Sequence, residues 1–446
     1  MSRPAILAAL LIATGFLLRP GPAGAQVNND LGNCRAGKDP DERIRNCTRA
    51  IESRQLSIPD LAIALLSRGN AHDQKGERDL AIRDYDQSIP LNPDDPTAFY
   101  FRAVDNIAKR KFDLAIQDLD EAIRLNPGYA DAFWKRGVAY RESGHGDRAI
   151  QDLGLAIGLN PINEEAYYER GSVYEGKNLL DRAIQDFTQA ILLNPQDLRT
   201  LSSRANLYCQ IGDFRRAILD YSQVFQIMPA DTSAISRRGY AYLNVGDYDR
   251  AIADFDECLY RDPYDNYSIE YRGIAYLNKG DYQHAAMDLD LAVQSNFQNT
   301  YFLHNRAVMH FVQGQFDPTA PNLIGRNIGL YADAAWLYIG KMRAGQNADG
   351  LLANPEKVNI NSWPGPIISM LAGKMDRTAL LQAASDRYIF KERDQRCDAY
   401  FFLAEHELLT NSTREAVEDF QAAIGTCLRS RVTYAAAKSE LQRLGH

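Results

Sequence analysis

The chain has 446 residues, 45% hydrophobic and 24% charged, with a formal net charge of −8. That composition excludes a disordered chain and supplies enough apolar material for a sizeable core. The acidic balance argues against nucleic acid or an anionic membrane surface as a partner.

The first 25 residues read as a secretory signal. Arg3 gives a positive start, Ala5 to Leu18 an apolar run, and Ala23-Gly24-Ala25 a small-residue cleavage pattern. The run is too short to span a bilayer, and no later stretch reaches spanning length. A lipid-anchored signal needs a Cys directly after the apolar run, and Cys34 lies too far on. Loss of Arg3 and Arg19 takes the net charge from −8 to −10. The expected location is periplasmic or secreted, where disulfides persist.

Residues 26–61 form the next segment. One helix is predicted from about Asp41 to Ser53, capped by Asp39 or Asp41 with Pro40 nearby. Laid over the following unit, it would cover an otherwise exposed apolar end.

From residue 62 to 331 the sequence repeats every 34 residues. Arg-Gly or Arg-Ala recurs at Arg68, Arg102, Arg136, Arg170, Arg204, Arg238, Arg272 and Arg306. Ala81, Ala115, Ala149, Ala183, Ala217, Ala251 and Ala285 keep the step, as do prolines from Pro93 to Pro263. Aromatics run in register through Tyr140, Tyr174, Tyr208, Tyr242 and Tyr276. Apolar residues fall at helical spacing on both sides of a break such as "NVGDY" at 244–248. Proline then closes the second stripe. Each unit is therefore a helix hairpin with a small residue at the crossing, and single hairpins must stack to bury both faces.

Each of seven units also carries an Asp sixteen residues after its Arg: Asp84, Asp118, Asp152, Asp186, Asp220, Asp254 and Asp288. A catalytic pair is needed once, whereas an identical pair in seven units points to architecture. An ion pair between the two helices of each hairpin is predicted. The eighth unit keeps Arg306 but has Asn322, with Pro318 and Pro321 where its second helix should begin. A hinge or boundary is expected over 316–331.

A 34-residue repeat with these small, aromatic and proline offsets resembles the tetratricopeptide repeat family. The resemblance implies an all-α helix-hairpin solenoid, a right-handed superhelix with first helices on its concave side. It also implies protein–protein interaction without catalysis or a cofactor. The candidate groove residues are Trp134, Lys135, Tyr168, Arg199, Asn206, Tyr240, Tyr267, Tyr301 and His304. Family members that grip a terminal carboxylate use lysines where this chain has Leu66 and Tyr100, so that mode is not expected.

Residues 332–446 return to helical patterning without a strict period. "AAWLYIGKMRAG" at 334–345 reads as a first helix, and 363–384 as a Trp-led short-helix segment. A hairpin follows at 399–424, then a last helix at about 432–444. This order resembles the carboxy-terminal part of NlpI-type periplasmic tetratricopeptide lipoproteins. It implies a helical module and recruitment of proteins of cell-wall turnover.

Six cysteines allow fifteen full pairings. Cys34 with Cys47 would staple the first helix, and Cys397 with Cys427 the open end of the last hairpin. Cys209 and Cys258 are expected as buried free thiols. No cysteine or histidine spacing fits a metal site, and no phosphate-binding, zinc-protease or nucleophile-elbow motif is present. The reading is an exported, non-catalytic scaffold or adaptor for envelope proteins. An envelope glycan-binding protein, stacking sugars on its tyrosines, is the alternative.

Overall fold

In the computed structural model, the residues described are 22–296, 299–314, 331–348, 363–386 and 389–446. Residues 1–21 and 315–330 lie outside this set. So do most of the expected signal, Asn322, Pro318, Pro321 and the boundary expected over 316–331. The described chain is built of α-helices with one short 3₁₀ turn at Ile89–Leu91. It divides into two compact units, one ending at Leu193 and one beginning at Asn194. The division falls inside the repeat array, between its fourth and fifth hairpins.

The first unit opens with two helices where one was predicted. They are α1 (Pro22–Ala36) and α2 (Pro40–Glu52). Asp39 caps α2 as expected, its Oδ2 accepting the Glu42 N–H at 2.8 Å with Pro40 in the first turn. The extra helix was hidden because Leu31 and Cys34 are its buried apolar positions, a pair at i, i+3 too sparse to show a period. Cys34 and Cys47 are disulfide-bonded, with Cα atoms 4.7 Å apart. Cys47 lies inside α2, so the bond joins the two helices rather than bracketing one.

Four hairpins follow: α3 (Ile58–Gln74) with α4 (Arg78–Ser88), then α5 (Pro96–Ala108) with α6 (Phe112–Leu125). Next come α7 (Ala130–Glu142) with α8 (Gly146–Leu159), and α9 (Glu164–Gly176) with α10 (Leu180–Leu193). The small residue after each Arg lies at the helix crossing. A Cβ on Gly137 would stand 2.7 Å from Leu153 Cγ, and one on Gly171 2.8 Å from Phe187 Cε1. On the second helices Ala81, Ala115, Ala149 and Ala183 are fully buried. The turn between helices needs a left-handed residue at one fixed position. Gly76 and Gly144 fill it, but Arg110 (φ 57°) and Asn178 (φ 58°) occupy it in the other two hairpins.

In the second unit the same hairpin recurs as α11 (Leu198–Gln210) with α12 (Phe214–Ile227) and α13 (Thr232–Val245) with α14 (Tyr248–Arg261). It recurs again as α15 (Asn266–Lys279) with α16 (Tyr282–Ser295), and α17 (Thr300–Val312) carries Arg306. Aspartates cap most of these helices. Asp231 accepts from Ala234 N and Asp247 from Arg250 N.

The remainder is α18 (Tyr331–Arg343), α19 (Gly365–Leu371), α20 (Arg377–Ala383), α21 (Ile389–Leu409), α22 (Thr413–Thr426) and α23 (Val432–Arg443). The segment after Trp363 is thus two short helices, and α21 begins ten residues earlier than the hairpin pattern predicted. These helices share an apolar core with the hairpins before them. One apolar core runs from Tyr242 to Leu441 and takes in Trp336, Phe401 and Phe420. Trp336 stacks on Phe401 at 4.6 Å and meets Phe311 of α17 edge-on at 5.2 Å. Cys397 and Cys427 are disulfide-bonded, tying the interior of α21 to the end of α22.

Candidate partner-binding site

The seven Arg–Asp positions come together in both units as two-pronged contacts. Arg68 Nε and Nη2 donate to the two Asp84 oxygens at 2.8 and 2.7 Å. Arg136 meets Asp152 at 2.7 and 2.9 Å, Arg204 meets Asp220 at 2.9 and 2.8 Å, and Arg272 meets Asp288 at 2.9 and 2.7 Å. Arg102–Asp118, Arg170–Asp186 and Arg238–Asp254 repeat the geometry. The aspartates are buried, and the Asp152 hydrogen bond holds Arg136 above the ordinary arginine range. Burial pushes Asp254 up even with Arg238 beside it.

A second contact escaped the sequence reading. The free Nη1 of Arg102 reaches Asp86 of the preceding hairpin at 2.7 Å, and Arg136 reaches Asp120 at 2.6 Å. Arg272 does the same with Asp256 at 2.6 Å and Arg306 with Asp290 at 3.2 Å. One guanidinium therefore locks its own hairpin and ties it to its neighbour. The signal was present, since Asp86 and Asp120, and Asp256 and Asp290, are spaced by 34.

The predicted groove residues divide between the units. In the first, Lys135 Nζ lies 3.6 Å from the centre of the Trp134 ring, and burial holds this lysine below its ordinary range. Tyr168 packs on Phe187 of its own hairpin, ring centres 5.6 Å apart. In the second, Asn206 is engaged internally, accepting from Tyr221 Oη at 2.6 Å and Arg237 Nη1 at 2.8 Å. Arg199 is exposed beside Asp197 at 3.7 Å. His304 meets Trp336 edge-on at 5.9 Å, packing on the C-terminal helices. The Tyr301 side chain lies outside the described residues.

Tyr240 and Tyr267 do converge, and Tyr271 joins them. The Tyr267 and Tyr271 rings are 4.4 Å apart, and Tyr240 meets Tyr271 edge-on at 5.2 Å. Burial raises the Tyr240 and Tyr267 hydroxyls above the ordinary tyrosine range, yet Tyr267 keeps 39% of its surface exposed. Exposed Arg237 borders them through its bond to Asn206. Tyr271 and Arg237 were missed, although each directly precedes a repeat Arg, the register that Lys135 also holds.

The chain covers part of this first-helix surface itself. Asn278 Nδ2 donates to the Arg429 carbonyl at 3.0 Å, and Ser430 N–H donates to Asn244 Oδ1 at 3.2 Å. Lys438 donates to the Asn278 carbonyl and Ser439 to that of Val312, at 3.0 and 3.1 Å. Segment 429–439 thereby satisfies carbonyls at the ends of α15 and α17. Among the described residues no group of three or more His, Cys, Asp or Glu is placed to hold a metal. Nor is any described helix long and apolar enough to cross a membrane.

Stacked helix hairpins with a small residue at each crossing define a helical repeat protein. Residues 107–144 match the family described as TPR repeat, and residues 164–197 and 233–265 match Tetratricopeptide repeat. These matches place tetratricopeptide repeats in the chain. No curated protein matches it. Among solved structures it is similar to MamA, at 26% identity over 38% of this chain and 92% of that one, TM-score 0.36. A second is YrrB, described as a TPR protein with an unusual peptide-binding site, at 21% identity over 42% and 95%, TM-score 0.36. A third is a tetratricopeptide repeat protein from Parabacteroides merdae, at 17% identity over 70% and 98%, TM-score 0.43.

Proposed function

We propose that this chain is an exported, non-catalytic adaptor that holds a peptide segment of a partner protein against the tyrosines of its second unit. Tetratricopeptide repeats are interaction scaffolds, which supports the general reading. The observation that carries the site is the Tyr240–Tyr267–Tyr271 cluster, with Tyr267 still open to solvent while Asn206 and Arg237 are tied to each other. Aromatic rings offer contact area at small entropic cost, and a bordering guanidinium suits a peptide with a polar flank. Two disulfides are compatible with export. An envelope location, with recruitment of cell-wall-turnover proteins in the manner of NlpI-type lipoproteins, belongs to the same proposal.

The glycan-binding reading draws on Tyr260 and Tyr264, exposed at 86% and 84%, as stacking platforms. A photo-crosslinking amino acid at position 267 or 260, in cells, separates the two. Protein adducts from position 267 that Tyr271→Ala abolishes are the expected result. No adduct from 267, with retention on cell-wall glycan that Tyr260→Ala and Tyr264→Ala abolish, overturns the adaptor reading.

A further inference from the structure

The second unit holds another recess, lined by none of the three tyrosines. Two adjoining cavities of about 660 and 580 Å³ share Arg215 and Val245 in their walls. The larger is formed where the α11–α12 turn faces the end of α22 and the segment leading to α23, with Phe214, Ile424 and Tyr434 as its apolar side. Such volumes suit a ligand of a few residues.

Charge decides what the recess would take. Its acids are matched: Asp213 with Arg216 at 2.6 Å, Asp249 with Lys279 at 2.6 Å, and Asp247 with Arg250. Two arginines are left over. Arg215 is exposed, and Arg429 lies over the Tyr434 ring at 5.8 Å. Neither has a carboxylate within ion-pair distance among the described residues. The Arg429 guanidinium also approaches Gly246 closely through Nη1, its Cζ 2.9 Å from where a Cβ would stand. Among the repeat arginines of this unit, Arg204, Arg238 and Arg272 each have a buried Asp, and Arg306 meets Asp290. Two unmatched guanidiniums in one recess of mixed polar and apolar walls therefore stand out. The Cys397–Cys427 disulfide anchors the wall two residues before Arg429.

We propose that this recess binds a carboxylate carried beside an apolar side chain, on an acidic or carboxy-terminal residue of a peptide. Planar guanidiniums pair with carboxylates through two parallel hydrogen bonds, and the walls of Phe214, Val245, Ile424 and Tyr434 supply the apolar half. The inference rests on the reading that the chain binds peptides, at a site separate from the tyrosines.

Fluorescence polarisation of the full chain tests it with three fluorescein-labelled peptides ending in Ser-Leu-Phe. One has a free terminal carboxylate, one a terminal amide, and one a terminal amide with Glu before Leu-Phe. Binding of an acid-bearing peptide should weaken about tenfold in Arg215→Gln or Arg429→Gln, the loss of one charged contact. It should fall with added salt, exceed binding of the neutral amide, and survive Tyr267→Ala. Whichever acid-bearing peptide binds more tightly identifies the carboxylate source. Failure of both to bind, or affinity unchanged in the two Arg variants, overturns the proposal. Binding lost in Tyr267→Ala alone overturns it while leaving the tyrosine site standing. Unchanged melting of the Arg variants separates lost binding from lost fold.

Discussion

Asp186→Ala tests whether the repeated ion pair is structural. In the folded chain Asp186 accepts two hydrogen bonds from Arg170, each 2.8 Å, with side-chain exposures of 7% and 22%. Removing the carboxylate strands a guanidinium that is mostly out of water, which costs about 3–5 kcal/mol when a buried pair loses one member. Arg170 retains some solvent contact, so the lower end, about 3 kcal/mol, applies. For a unit of this size that shifts melting by about 6–12 °C. Thermal unfolding followed by circular dichroism measures it, and Arg170→Leu with Asp186→Leu, replacing both charges, should recover much of the loss. An Asp186→Ala shift corresponding to less than about 1 kcal/mol would refute the reasoning and place the pair among ordinary surface contacts.

Arg110→Gly relieves a left-handed residue that five other hairpins fill with glycine, so stability should rise by about 0.5–1 kcal/mol in urea unfolding. A loss would show that the Arg110 side chain contributes more than its backbone costs. Burial pushes Glu405 from an ordinary 4.5 to about 7, even with Arg343 at 3.5 Å. Between those values the folded state keeps a proton the unfolded chain has released. Stability therefore falls as pH rises from about 4.5 to 7, by up to about 3 kcal/mol from this group. Glu405→Gln should flatten that slope in melting temperature against pH, and an unchanged slope would assign it elsewhere. Burial also raises the Cys209 thiol to about 12 and the Cys258 thiol to about 11. Only Cys258 is buried as expected, Cys209 being half-buried. Both should react with a thiol reagent at pH 8 far more slowly in the folded chain than on unfolding, and equally fast native labelling would refute this.

The regular hairpins were legible because each position does one job, repeated: Gly or Ala at the crossing, Ala on the second helix, Arg and Asp across the pair. The groove was legible only in part, because a first-helix register says which way a side chain points but not what packs over it. His304 and Asn206 occupy groove register, yet Trp336 and Arg237 engage them. Trp336 comes from outside the regular repeat, and Arg237 from the register that Lys135 holds, so neither contact follows from the direction of the groove side chain alone.

The last hairpin shows the same limit more sharply. In α22, Ala416, Asp419 and Phe420 keep the spacing of Ala81, Asp84 and Tyr85, and all are buried. Sixteen residues before Asp419, however, stands Leu403, so the local pattern offers no arginine. A buried carboxylate without a cation would be costly, and the structure supplies one from outside the hairpin. Arg377 of α20 donates to both Asp419 oxygens and lies 3.2 Å from Glu407, and the Asp419 bond raises Arg377 further. Burial first, then the charge of Asp419, pushes Glu407 to about 7. The requirement set by the Asp persists where the repeat decays, and only its source moves, to an arginine 42 residues before the Asp instead of sixteen. That is why the irregular segment around Arg377 must pack against this hairpin: it carries the cation that the hairpin has lost.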